Sequence, residues 1–168
     1  MRSFASARIG VVLSLLLLLT ACGFHLRSFG NMPFETLYIQ DSGAPGIARD
    51  LRRAFGSGGV EVVSAPEQAQ MSLELMDEDV EKRILSLSGK GKVREYEILY
   101  RVSFRTRETG AAVWGPPQQV ELRRDFSYSD TALLAKDAEE SRLVADMRAE
   151  AVREILRRSS SVSKSRSE

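Results

Sequence analysis

Apolar and polar residues alternate along most of this chain, and only two stretches lengthen that period to three or four. Strands therefore dominate the expected architecture, with two helices beside them. Residues 34–40 (FETLYIQ) are rich in β-branched and aromatic side chains and run into a turn cluster, Asp41-Ser42-Gly43-Ala44-Pro45-Gly46. This predicts a strand and then a loop. Ile47, Leu51, Ala54 and Phe55 share one helical face, and the glycines between 56 and 59 stop the helix. Residues 60–63 (VEVV) form a short strand. Strand, helix, strand in that order predicts a parallel pair joined by a right-handed crossover.

Three longer runs follow. Met71, Leu73 and Leu75 alternate with Gln70, Ser72 and Glu74; the pattern weakens over Asp77-Glu78-Asp79 and resumes loosely through Val80, Lys82, Ile84 and Leu85. After the turn Gly89-Lys90-Gly91-Lys92, the face Tyr96, Ile98, Tyr100, Val102, Phe104 opposes Glu95, Glu97, Arg101, Ser103 and Arg105, which makes this the clearest strand. Turns at Thr109-Gly110 and residues 114–117 lead to Val120, Leu122, Arg124, Phe126 and Tyr128, alternating again. An antiparallel meander is expected. Ser129 or Asp130 caps a last helix, where Leu143, Val144, Met147, Ala151, Val152, Ile155 and Leu156 form the apolar stripe. Residues 159–168 (SSSVSKSRSE) read as a flexible tail. The order β-α-β-β-β-β-α predicts an α/β two-layer sandwich. Its mixed sheet of about four strands, some parallel and some antiparallel, is covered on one face by two helices and spans residues 34–158.

The N-terminus changes the picture most. An apolar run at residues 9–19 follows Arg2 and Arg8 and closes on Leu19-Thr20-Ala21-Cys22. A charged start, a short apolar core and small residues before a cleavage point make a secretory signal peptide, here residues 1–21. The run is too short to span about 30 Å of hydrocarbon. Cleavage directly before Cys22, the chain's single cysteine, predicts lipidation of that thiol and a tether over residues 22–33. With Cys22 acylated, no disulfide framework is available in the periplasm. Phe24, Leu26 and Phe29 are expected to dock near the bilayer or the domain.

Charge and chemistry narrow the function. The chain carries 24 Lys and Arg against 23 Asp and Glu, a balance that argues against general nucleic-acid binding. The one histidine, His25, lies in the tether, where no rigid shell could hold it for catalysis or a metal. The acidic run Asp77-Glu78-Asp79 lacks the glycine and ligand spacing of a calcium loop and reads as a solvated strand bend. Gly89-Lys90-Gly91-Lys92 lacks phosphate-loop spacing and opens a strand. No enzyme, cofactor or metal is expected. Lys90, Lys92 and Arg94 lie within five residues on a hairpin tip, and Lys136 begins the last helix. They are candidate contacts for an anionic ligand, with Lys as a point charge and Arg as a fork.

Several of these segments resemble the LPS-assembly lipoprotein family, LptE. The likeness rests on Cys22-Gly23-Phe24-His25-Leu26-Arg27, Asp41-Ser42-Gly43 after a strand, and Arg94-Glu95-Tyr96-Glu97. It also rests on Tyr128-Ser129-Asp130 through Leu134-Ala135-Lys136-Asp137 and a helix ending Ile155-Leu156-Arg157-Arg158. The resemblance implies a non-enzymatic outer-membrane lipoprotein that plugs the LptD β-barrel, helps it assemble and assists lipopolysaccharide insertion into the outer leaflet. It places the family's lipopolysaccharide-contacting lysine on Lys136. At the hairpin tip it puts Gly89 where the family has a basic residue, which shifts that role to Lys90, Lys92 and Arg94. Gly23 after the acylated cysteine, in place of Asp, implies export to the outer membrane. A lipid-anchored envelope protein binding another partner or anionic ligand is the alternative.

Overall fold

The computed structural model describes residues 32–128 and 133–162. The signal peptide, Cys22, most of the tether and the cap at Ser129 or Asp130 lie outside the described residues. In chain order the elements are β1 (Thr36–Asp41), α1 (Pro45–Ser57), β2 (Glu61–Val63), a 3-10 turn (Pro66–Gln68), β3 (Met71–Leu87), β4 (Val93–Glu108), β5 (Gln118–Ser127) and α2 (Leu133–Val162). The sheet has the strand order β2-β1-β3-β4-β5. β1 pairs in parallel with both β2 and β3, and β3, β4 and β5 form the expected antiparallel meander. The sheet has five strands because the three-residue β2 joins its edge.

Helix α1 forms without a side-chain cap on its own first residue. Pro45 opens it with φ already set. The Asp41 carboxylate accepts the amides of Gly43 (3.2 Å) and Ala44 (2.7 Å), folding the turn before it. Ile47, Ala48, Leu51 and Phe55 are fully buried against the sheet. Each large one among them contributes about 1.5–3 kcal/mol of transfer free energy. In α2 the stripe Met147, Ala151, Val152, Ile155 and Leu156 is buried as the spacing predicts, with Leu143 and Val144 packed at its edge. The helix runs past the expected domain end at residue 158 to Val162. Ser159, assigned to a flexible tail, is fully buried on the same face. The four-residue spacing from Ile155 carries Ser159 onto the stripe, and helical hydrogen bonding overrides the low local propensity of serine. Among the described residues, no helix is long and apolar enough to cross a membrane.

The weak alternation over residues 77–79 has a structural cause. Leu75 pairs with Phe104 and Asp77 with Ser103, so Met76 is an extra residue, a β-bulge. Before the bulge Met71, Leu73 and Leu75 face the helices; after it Glu78, Val80, Lys82 and Ile84 do, opposite Val102, Tyr100, Ile98 and Tyr96. The period stays two but its phase reverses. Gly43 packs on this bulge: a Cβ there would sit 2.8 Å from the Met76 carbonyl oxygen.

Candidate functional site

The bulge places Glu78 inside the sandwich, which corrects the expectation of a solvated acidic bend there. Its carboxylate, only 9% exposed, accepts hydrogen bonds from the Tyr100 hydroxyl (2.7 Å), Arg148 Nε (2.7 Å) and the amide of Ile47 (3.2 Å). One side chain thus joins β3, β4, α2 and the start of α1, and caps a helix whose own cap residue, Ala44, cannot. Burial, and then the Glu78 carboxylate, push the Tyr100 hydroxyl well above its ordinary pKa of 10.0. This cluster is structural: the three donors to the Glu78 carboxylate all come from within the fold. Among the described residues, no group of His, Cys, Asp and Glu side chains could hold a metal ion.

The helix-free face is a lattice of opposed charges. Across β3, β4 and β5 the register sets Asp79 by Arg101 by Glu121, and Arg83 by Glu97 by Asp125. Arg101 reaches Asp79 (2.5 Å) and Glu81 (3.1 Å), Arg83 reaches Glu81 (2.7 Å), and Arg123 reaches Glu121 (2.6 Å). The hydrogen bond from Arg83, reinforced by Arg101, holds the Glu81 carboxyl below its ordinary pKa. Such exposed pairs contribute little stability, but they give the face a polar, self-neutralised surface.

Lys90, Lys92 and Arg94 are exposed on and beside the β3–β4 hairpin. The Gly91 amide donates to the Ser88 carbonyl (2.9 Å) and the Ser88 amide to the Lys92 carbonyl (2.7 Å). Gly91 has φ +74 and is the position that needs glycine. Gly89 has no positive φ and open space where a Cβ would point, so its backbone would accept a basic side chain. Lys136 lies at the same end of the molecule, since it bonds Ser127 Oγ (3.3 Å) and Ser127 pairs with Glu95. Its side chain is only 17% exposed and its ammonium is 2.7 Å from Glu139. Three of the four candidates are therefore presented to solvent, and the fourth is tucked between β5 and α2 with its charge balanced.

Lys82 was not singled out by the sequence. Its ammonium stands 4.3 Å over the Tyr96 ring, 5.4 Å from Phe126, and pairs with Glu140 (2.5 Å). Tyr96 stacks on Phe126 and meets Tyr128 edge-on, with centroids 5.8 and 5.1 Å apart. The available signal was a lysine in phase with Val80 and Ile84. Flanking α2 are an open cleft of about 650 Å³, lined by Asp125, Ser127, Glu139, Arg142 and Asp146 among others, and a second of about 560 Å³ beside Lys82 and Glu140. Carboxylates and cations are mixed in both clefts, whereas Lys90, Lys92 and Arg94 stand exposed together on and beside the hairpin.

The domain is thus a helix-backed open sheet with a charge-paired bare face and a projecting basic hairpin. The lipopolysaccharide-assembly family model, LptE, matches residues 34–159, and the chain belongs to that family. It is 30% identical over 153 residues to the LPS-assembly lipoprotein LptE of Pectobacterium atrosepticum, covering 88% of this chain and 82% of that one. It is 29% identical to the protein of the same name from Photorhabdus laumondii, over 88% and 82%. The solution structure of lipoprotein B from Nitrosomonas europaea superposes with a TM-score of 0.70 at 36% identity, over 84% of this chain and 93% of that one. The crystal structure of rare lipoprotein B from Shewanella oneidensis gives 0.71 at 29%, over 79% and 99%. The α/β architecture is that of these relatives, and membership in a family of assembly lipoproteins makes the chain a non-enzyme.

Proposed function

We propose that acylation at Cys22 anchors this protein in the outer membrane, where its domain plugs the lumen of an LptD-type β-barrel. There it helps the barrel assemble and assists transfer of lipopolysaccharide to the outer leaflet. The observation that carries the plug is the helix-free face: a barrel lumen is polar, and Asp79, Glu81, Arg83, Arg101, Glu121 and Arg123 present paired charges in place of an apolar patch. Length supports the orientation. The seventeen residues of β3 extend about 55 Å at 3.2–3.4 Å each, from the end near the tether to the basic hairpin. That exceeds the roughly 30 Å hydrocarbon layer, so a domain anchored at its base reaches the outer leaflet with its tip. There Lys90, Lys92 and Arg94, with Lys136 behind them, meet lipopolysaccharide phosphates and compete with bridging divalent cations.

Isolation of the native protein from outer membranes in mild detergent tests the reading. A stoichiometric large barrel protein, with acyl groups on Cys22 by mass spectrometry, is the expected result; an unlipidated protein travelling alone refutes it. Replacing Lys90, Lys92 and Lys136 together by Ala weakens lipopolysaccharide binding and reduces its sensitivity to salt, because fewer charge contacts remain to be screened. Unchanged binding removes the site assignment. Lys136→Ala alone has the smaller effect, since Glu139 already balances that charge.

A further inference from the structure

The connection between β4 and β5, residues 109–117 (TGAAVWGPP), has no ionisable side chain. At its centre Val113 is 76% exposed, the most exposed large hydrophobic residue among those described. The loop is held in place. Gly110 turns it with φ +84, the Ala111 amide bonds the Glu108 carbonyl (3.1 Å), and the Gly115 amide bonds the Thr106 carbonyl (2.9 Å). Trp114 packs onto two guanidiniums, Arg107 at 4.7 Å and Arg105 at 5.0 Å from its ring. An exposed aliphatic tip, a tryptophan and arginines together are the side chains that suit a membrane–water interface.

The loop stands where the chain enters the domain. Thr109 donates its amide to the Gln70 carbonyl (2.9 Å), and Gln70 Oε1 accepts the amide of Glu35 (2.7 Å). Pro33 and Phe34 share a cleft with Glu108 and Thr109. Cys22 precedes Pro33 by eleven residues, a tether of at most about 40 Å extended and roughly 20 Å on average as a coil. We propose that residues 109–117 dock on the phospholipid surface that holds the acyl anchor, with Val113 among the headgroups and Trp114 beside them. This rests on acylation at Cys22. The anchor keeps the loop near the bilayer at an effective concentration of about millimolar. A contact too weak to recruit the protein alone then suffices to set its tilt and aim the hairpin away from the anchored leaflet.

Trp114 is the chain's single tryptophan, so its fluorescence reports the contact directly. The full-length acylated protein is reconstituted in vesicles of phosphatidylethanolamine and phosphatidylglycerol, with and without bromine on the upper acyl chain. Expected are a blue-shifted emission and about twofold quenching by the brominated lipid, consistent with interfacial depth. Val113→Asp, at an exposed position, should abolish the quenching while flotation and thermal melting stay unchanged. Protein that floats with Trp114 unquenched, or with Val113→Asp quenched equally, overturns the docking and leaves the anchor intact. Protein that fails to float overturns the acylation and the docking with it. A blue shift that needs added barrel protein and is insensitive to bromine assigns the loop to a protein surface and also overturns the proposal.

Discussion

Glu78 ties the fold together at one point, because its carboxylate satisfies three donors from three different elements. Glu78→Ala should cost about 2–3 kcal/mol in urea unfolding, since it leaves Tyr100, Arg148 and the first turn of α1 without their acceptor. A loss below about 0.5 kcal/mol would place the cluster in the class of surface pairs. Gly46 belongs to the same knot: a Cβ there would stand 3.0 Å from Glu78 Oε2 and 3.3 Å from Arg148 Cζ. Tyr100 supplies a pH dependence. Its folded pKa is raised above the ordinary 10.0, so its contribution is complete below pH 10 and declines as the pH rises beyond it. Tyr100→Phe should flatten the alkaline limb of the stability profile while leaving the neutral range less affected. At the hairpin, Gly91→Ala should cost about 1 kcal/mol through its positive φ, whereas Gly89→Lys should be neutral for stability and strengthen lipopolysaccharide binding. Equal thermal melts for the two variants would contradict the turn geometry.

At the scale of elements, the Met76 bulge decides which half of β3 is buried. Deleting Met76 would remove the extra residue and leave one continuous alternation, with Glu78, Val80, Lys82 and Ile84 still facing the helices and Asp77, Asp79 and Glu81 still on the bare face. The expected result is a β3–β4 ladder kept beyond Leu75, seen as wild-type amide protection there, with a loss of about 1–3 kcal/mol from the straightened strand and the disturbed Gly43 turn. Loss of protection beyond Leu75 in the deletion variant would show that pairing past the bulge needs the extra residue. Sequence patterning located β1, α1, β4, β5 and α2 from their own residues, because each buries one face with one phase along its length. It described β3 poorly for a defined reason. A bulge is specified by its partners, here β4 and the Gly43 turn, and local alternation holds no record of either. The buried end of α2 was missed similarly: Ser159 is polar by composition and interior by helical position.

On the scale of the whole molecule, the tether enters at one end and the basic hairpin stands at the other, separated by the length of β3. In the plug orientation, Lys90→Cys should react with an impermeant maleimide added to intact cells. Glu67→Cys, at the tether end, should react only after the outer membrane is opened. The reverse labelling would invert the domain. In that proposed orientation the two ends also divide the work, with the uncharged loop at residues 109–117 facing the anchored leaflet and the cations facing away.

The amino-acid order alone determined the alternation, the two helical stripes, the lack of catalytic chemistry, the basic residues of the tip and the expected acylation at Cys22. Each is written in neighbouring residues or in composition, where short-range sterics and hydrophobic period act. Tertiary structure alone decided that Glu78 is a buried cap and that Lys82 lies over aromatic rings. It also decided that Trp114 and Val113 stand beside the point of entry. These depend on groups distant in sequence meeting in space, and burial, charge pairing and register exist only once they have met.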